Sequence, residues 1–134
     1  MELELHFPLK PLPCPRPKIA VRGGYPKAYY PTNYKEWKEK AAALVAEAAA
    51  NLDGPIDAPV SVEELSMVTL RPKTTKLPFP KPDIDNLEKS VWDALVSGGL
   101  LKDDWLIYRV AEKVKRWTEE GEEEHILVRL SVKA

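Results

Sequence analysis

Two groups of aspartates stand at the two ends of one predicted helix. Asp83 and Asp85 are one residue apart at its start, and the pair Asp103-Asp104 follows its end. Carboxylate oxygens are the ligands that hard cations such as Mg²⁺ prefer, and protein-bound Mg²⁺ usually keeps part of its water shell for a phosphate-bearing substrate. The pattern predicts a magnesium-dependent nuclease, provided that the chain folds back far enough to bring the two groups together.

The helix between the acids sets a geometric condition on this site. A helix of about 12 residues is about 18 Å long at 1.5 Å per residue, whereas the segment from Leu100 to Lys102 reaches only about 10 Å when extended. Asp104 therefore approaches Asp83 only if the following strand enters the sheet beside the amino-terminal end of the helix. The sequence leaves this point open.

Each of these residues also has a purely structural interpretation. Asp85, three residues before Glu88, can cap the helix, and Asp103-Asp104 can be turn residues before a strand. Lys89 lies four residues after Asp85, so it can form a surface ion pair or lie beside the metal and stabilise charge on the phosphate. For Asp93, one turn later, solvation or pairing with Lys89 is favoured over metal binding.

The composition describes an ordinary single domain, which we expect to span residues 1–134. Its net charge is −1 and its only cysteine is Cys14, so no internal disulfide is possible and a reducing cytoplasm is the expected setting. With only His6 and His125 besides, a zinc site is not favoured. The amino terminus has no signal-like run, and no apolar stretch reaches the roughly 20 residues of a membrane span.

Basic residues cluster although the chain as a whole is nearly neutral, and the distribution matters more than the sum. The segment of residues 71–82, called the basic loop below, is rich in proline and contains no acid. Its cations are the first candidates for contacts with DNA phosphates, and a solvated basic loop is the alternative. The candidate DNA-binding residues are Arg71, Lys73, Lys76 and Lys81 in this loop, and then Arg16, Lys18, Arg22 and Lys27.

Hydrophobic periodicity predicts two helices and a set of strands. The first helix begins with a capping box at Asn33 and Glu36 and ends near Leu52; the second runs from Asp85 or Asn86 to about Ser97. Strands are predicted over 2–7, 18–22, 25–30, 60–70 with a bulge between Val62 and Leu65, 106–114 and 126–132. This order indicates an α+β fold in which a mixed β-sheet of about four to five strands packs against two main helices.

The acids and lysines together form a longer pattern. Asp83-Ile84-Asp85-Asn86-Leu87-Glu88-Lys89 has the form D-x-D-N-x-x-K, and Asp93 follows. Asp103-Asp104-Trp105-Leu106-Ile107 has the form D-D-x-x-[IV], and Lys113 comes later. In this pattern, and in Arg16-Pro17-Lys18 and Tyr30-Pro31 before it, the chain resembles the RusA-type Holliday junction resolvases over most of residues 13–117.

The resemblance implies a homodimeric, Mg²⁺-dependent endodeoxyribonuclease that resolves four-way DNA junctions by paired symmetric nicks in recombination and repair. It implies that Asp83, Asp85 and Asp104 are the metal-binding catalytic acids and that Lys89 is the supporting cation. Either Asp103 or Asp104 can be the acid that faces the metal. Two alternatives remain: a non-catalytic protein that binds branched DNA, and a metal nuclease that acts on flap DNA or RNA.

Overall fold

The fold is organised around one long central strand, β4. The computed structural model describes residues 1–15 and 18–133, and of residues 18–20, 22 and 25–29 it describes the backbone only. The helices are α1 (Thr32–Ala49) and α2 (Ile84–Ser97). The strands are β1 (Glu2–Phe7), β2 (Lys18–Arg22), β3 (Tyr25–Tyr29), β4 (Val60–Thr69), β5 (Ile107–Val110), β6 (Lys113–Trp117) and β7 (His125–Val132).

The main sheet is mixed and has five strands. On one side of β4 lies β7 and then β1, both pairings being antiparallel. On its other side β4 pairs in parallel with β5 along its first half and with β6 along its second half. Strands β2 and β3 form a separate hairpin around Gly23 and Gly24. The predicted α+β fold with a mixed sheet and two main helices is confirmed.

The predicted bulge in β4 is also present. The register of β4 against β7 shifts between Val62 and Glu64. The residues that face the core are therefore even-numbered before the shift and odd-numbered after it. Val60 and Val62 before the shift and Leu65 and Met67 after it are all completely buried in one core. The bulge therefore lets one strand present a continuous apolar face to the helices.

The prediction of one continuous strand over 106–114 is wrong. Leu106 belongs to a short 3-10 helix (Asp104–Leu106), and β5 and β6 are separated by Ala111 and Glu112. At this break the Ala111 N–H donates to the Val62 carbonyl, and the Glu112 carbonyl accepts from the Leu65 N–H. The interruption thus matches the bulge in β4, and Glu112, predicted on the inner face of a continuous strand, is exposed.

Both helices contribute buried residues to the same core. In α1 these are Tyr34, Trp37, Ala41 and Val45, and α2 adds five more, including Leu87, Val91 and Leu95. The predicted capping box of α1 is wrong, because the helix begins at Thr32 after Pro31 and has no side-chain cap bond. Within the described parts of the chain, no helix is both long and apolar enough to cross a membrane.

The chain reverses direction directly after α2. The N–H groups of Leu100 and Leu101 both donate to the Leu95 carbonyl, and Gly99 adopts a positive φ of 81°. Ile56 then donates to the Leu100 carbonyl at 2.8 Å and accepts from the Lys102 N–H at 3.0 Å. The segment returns along α2 as a short parallel bridge, with both leucines buried.

We predict that Gly98→Ala destabilises the fold through packing alone. Gly98 has helical φ and ψ, so alanine fits its backbone, but a methyl group there would overlap the Val45 side chain and lie 2.7 Å from the Ala42 carbonyl oxygen. We expect the free energy of unfolding in urea to fall by about 1–3 kcal/mol. Ser97→Ala at the adjacent exposed position is the control, and an equally small effect of both changes would contradict the close contact.

Candidate active site

The amino-terminal end of α2 presents two exposed carboxylates. Asp83 is the residue before the helix and makes no side-chain capping bond, and Asp85 is the second helical residue, with 86 % of its side chain exposed. The capping interpretation of Asp85 is therefore wrong. A carboxylate in the first turn interacts favourably with the helix dipole. Neither side chain caps the helix, so capping does not compete with a ligand for either carboxylate.

The reversal after α2 carries Asp104 back to the helix. Its Oδ2 lies 3.0 Å from the Nζ of Lys89, which stands one turn after Asp85. Lys89 pairs with Asp93 as well, at 3.1 Å, and not with Asp85. Asp103 is exposed and makes no cap bond at the start of the 3-10 helix. Of the two adjacent acids, Asp104 is the one that reaches α2.

Lys89 is held between two carboxylates from different parts of the chain. Its hydrogen bond to Asp104, followed by its hydrogen bond to Asp93, raises the pKa of the ammonium above the usual lysine range. Asp93 is itself fixed from α1, because the buried Tyr34 hydroxyl donates to its Oδ2 at 3.4 Å. Burial raises the pKa of Tyr34, which keeps this hydroxyl a donor. The predicted pairing of Asp93 with Lys89 is confirmed.

A second lysine enters the site from the sheet. Lys113, in β6, lies opposite the core residue Leu65 in the register, and its Nζ is 2.8 Å from Glu88 Oε2 and 3.7 Å from Asp85 Oδ1. The hydrogen bond with Glu88 is the main reason that the pKa of Lys113 is raised. Lys113 is not among the predicted catalytic residues, although the longer sequence pattern includes it.

Sequence reasoning missed the residue that holds this second lysine. Glu88 accepts a hydrogen bond from the Trp92 indole N–H through Oε1, at 3.0 Å, while its Oε2 accepts from Lys113. The i,i+4 spacing of Glu88 and Trp92 places them on one helical face, which was the available signal. The partner from β6 could not be found in this way, because it lies in a distant part of the sequence.

The oxygen ligands that these aspartates offer suit a hard divalent cation, although they are not already arranged around one point. Asp83, Asp85 and Asp104 offer only carboxylate oxygens, as Mg²⁺ requires, and Mg²⁺ commonly uses one or two protein carboxylates together with substrate phosphates. Among residues 1–15 and 18–133, no three His, Cys, Asp or Glu side chains are grouped closely enough to hold a metal ion. Lysine ammonium groups instead pair with Asp85 and Asp104.

The basic loop leads directly into Asp83 and is attached to β6. Lys115 Nζ donates to the Pro82 carbonyl at 2.8 Å and lies 5.0 Å from the centre of the Phe79 ring, and the Trp117 indole N–H donates to the Leu77 carbonyl at 2.8 Å. The four cations predicted to contact DNA from this loop are all exposed, namely Arg71, Lys73, Lys76 and Lys81.

The other predicted DNA contacts lie in or near the β2–β3 hairpin. Lys18 and Arg22 are in β2 and Lys27 is in β3, and their side chains are outside the description. Arg16 lies outside the described residues. The role of these four residues stays a prediction.

Comparison with known proteins identifies the family. The family profile described as "Endodeoxyribonuclease RusA" matches residues 8–130. This chain belongs to that family. It is also 32 % identical over 110 residues to "Crossover junction endodeoxyribonuclease RusA" of Aquifex aeolicus (strain VF5), covering 81 % of this chain and 77 % of that protein. Residues 8–130, matched by the family profile, contain every carboxylate and lysine of the site, and the resemblance read from the sequence motif is confirmed.

We predict a measurable coupling between Lys89 and Asp104. In a double-mutant cycle of Lys89→Met and Asp104→Asn, followed by urea unfolding at pH 7, we expect about 0.5 kcal/mol of coupling that decreases with salt, since the pair is partly exposed. The raised pKa of Lys89 keeps this contribution fully present at pH 7, and it is lost only as the pH rises through the folded-state value.

The more exposed pair of Lys102 and Asp57 serves as the control for this cycle. Its two atoms also lie 3.0 Å apart, but both side chains are more than half exposed, so its coupling should be near zero. A Lys89–Asp104 coupling no larger than this control would contradict the approach of Asp104 to α2.

Proposed function

We propose that this chain resolves four-way (Holliday) DNA junctions by paired, symmetric, Mg²⁺-dependent nicks during recombination and repair. By its family it is a crossover junction endodeoxyribonuclease, a class of enzyme that binds branched DNA and implies a divalent metal. The observation that carries the proposed site is the return of Asp104 to α2, where it lies against Lys89, one turn from Asp85. This return supports the proposal, because it brings an acid from beyond the helix back to the side of α2.

In this proposal, Asp83, Asp85 and Asp104 hold the Mg²⁺. When bound, the ion supplies an activated water for in-line attack on phosphorus and neutralises charge on the leaving oxygen. The exposed position of Asp83 and Asp85 gives substrate phosphate room to approach them. Asp104 lies 3.0 Å from Lys89 and follows α2 in the chain, so the acids come from two separate segments.

Lys89 is the cation that contacts the scissile phosphate in this arrangement. Asp104 shares it with Asp93, which Tyr34 anchors from α1. When the oxygens of Asp104 are engaged elsewhere, Asp93 still holds the ammonium in place. A positioned ammonium stabilises negative charge on the phosphate oxygens as the bond to the leaving group breaks.

The basic loop supports the choice of DNA as substrate. It places four exposed cations immediately before Asp83, and its attachments through Lys115 and Trp117 fix its end against β6. Contacts to phosphates provide affinity and set the register of the nucleic acid on the protein. Arg16, Lys18, Arg22 and Lys27 extend the proposed interface toward the β2–β3 hairpin.

The two-fold symmetry of the substrate supports a homodimer. A four-way junction has near two-fold symmetry, and nicks on two opposing strands require two equivalent sites. The domain proposed here, residues 1–134, carries one such set of acids. Two copies related by a two-fold axis would place one set on each strand.

We predict that removing single carboxylates abolishes cleavage but not binding. Asp83→Asn and Asp104→Asn should lower Mg²⁺-dependent nicking of a synthetic mobile junction by about a thousandfold or more, because the metal site loses a charged ligand. Binding in a gel-shift assay should persist. Asp57→Asn, which removes an exposed acid paired with Lys102, is the matched control. Normal cutting by both site variants would show that these acids are not the metal ligands.

The same assay separates the alternatives. A non-catalytic binder of branched DNA would bind the junction equally with EDTA or Mg²⁺ and would never cut it. A nuclease for flaps or RNA would cut those substrates in preference to the junction. A cruciform plasmid adds a test of the dimer, since two coupled sites give linear product in one binding event, whereas a single site gives nicked circles.

We predict that the basic loop sets part of the salt dependence of binding. Lys73→Gln and Lys76→Gln should each weaken junction binding and reduce the slope of log K against log salt by about one, as expected when one phosphate contact is lost. Lys102→Gln, which removes an exposed lysine elsewhere, is the control. Unchanged slopes for both loop variants would mean that the loop is only a solvated segment.

A further inference from the structure

Glu88 accepts a hydrogen bond from Lys113, although neither residue is a proposed metal ligand. The Lys113 Nζ lies 2.8 Å from Glu88 Oε2 and 3.7 Å from Asp85 Oδ1. The ammonium therefore hydrogen-bonds to Glu88, whereas its distance to Asp85 is that of a loose ion pair without a hydrogen bond. Because Lys113 is on the edge strand and Glu88 on the helix, this bond also fixes the lysine relative to the amino-terminal end of α2.

The position of Glu88 is in turn fixed by Trp92. The indole N–H donates to Oε1 at 3.0 Å, so the two carboxylate oxygens have different partners, one from α2 and one from β6. Trp92 is 7 % exposed and packs in the hydrophobic core. The Glu88 side chain is 19 % exposed. A buried, rigid donor thus sets the orientation of a carboxylate at the rim of the site.

A lysine in this position competes with a metal ion for Asp85. Both are cations that seek the same carboxylate oxygens, and the ammonium is already within 4 Å of one of them. If Glu88 did not accept from Lys113, the nearest remaining acceptor of charge would be Asp85. A full Lys113–Asp85 ion pair would then have to break before Asp85 could bind a divalent cation.

We propose that Glu88, oriented by Trp92, is a positioning residue that holds Lys113 short of a direct hydrogen bond with Asp85 and so leaves Asp85 available to the metal. The inference rests on the proposed function of Asp85 as a metal ligand. It assigns a role to two residues, Glu88 and Trp92, that lie outside the proposed set of metal ligands.

Metal binding without DNA tests this role directly. Mn²⁺ takes the same oxygen ligands as Mg²⁺, and free Mn²⁺ is measured by electron paramagnetic resonance. Glu88→Gln should weaken Mn²⁺ binding about fivefold, the scale of one partly exposed ion pair. Adding Lys113→Gln to that variant should restore the binding, because the competing ammonium is gone. A merely structural defect would not be repaired by a second substitution.

Trp92→Phe separates positioning from net charge. It changes no charge but releases Glu88, so it should weaken Mn²⁺ binding by about twofold to threefold. Trp37→Phe is the matched control, since Trp37 is another buried tryptophan whose indole N–H has one acceptor, the Lys10 carbonyl. Glu64→Gln, which breaks an ion pair with Arg129, controls for loss of a paired glutamate.

The outcomes distinguish failure of this inference from failure of the proposed site. Wild-type Mn²⁺ affinity in Trp92→Phe, or a loss in Glu88→Gln that Lys113→Gln does not reverse, overturns the role of Glu88. If Asp85→Asn also binds Mn²⁺ like the wild type, Asp85 is not a ligand and both proposals fall. If Asp85→Asn binds more weakly while Trp92→Phe is unchanged, only the role of Glu88 is wrong.

Discussion

The reversal of the chain after α2 is the constraint on which the site depends. Two hydrogen bonds to the backbone of Ile56 and two to the Leu95 carbonyl direct residues 100–102 back along the helix. Leu100 and Leu101 are buried at this point, so the turn is held by the core as well as by the backbone. Without this return, Asp104 would lie beyond the carboxyl end of α2, out of reach of Lys89.

Electrostatic compensation follows from that proximity. Two lysines compensate the acids beside α2. Lys89 pairs with Asp93 and Asp104, and Lys113 hydrogen-bonds to Glu88 and lies 3.7 Å from Asp85. Each lysine thus has one partner among the proposed metal ligands and one outside them. The partner outside that set is in each case hydrogen-bonded to an aromatic side chain, Tyr34 or Trp92. These two buried aromatic donors therefore link the hydrophobic core to the side chains of the site.

Much of the fold could be predicted because its pattern is local. Alternation identified β1, β4 and β7, and the slip in alternation after Val62 located the bulge in β4. Prediction failed where a distant partner decides the outcome. The break between β5 and β6 is set by that bulge on the neighbouring strand. The capping role predicted for Asp85 is wrong for another reason, because α2 begins without any capping side chain.

The sequence by itself determined the residue types of the site, their spacing and, through the motif from Asp83 to Lys113, the family. Spacing along one helix also determined the pairing of Lys89 with Asp93. Only the tertiary structure decided that Asp104 and not Asp103 reaches α2, and that Lys113 is held by Glu88. The physical reason is that these contacts join segments about 15 to 25 residues apart through a turn and a parallel strand, whose path depends on packing and long-range hydrogen bonds, not on local preference.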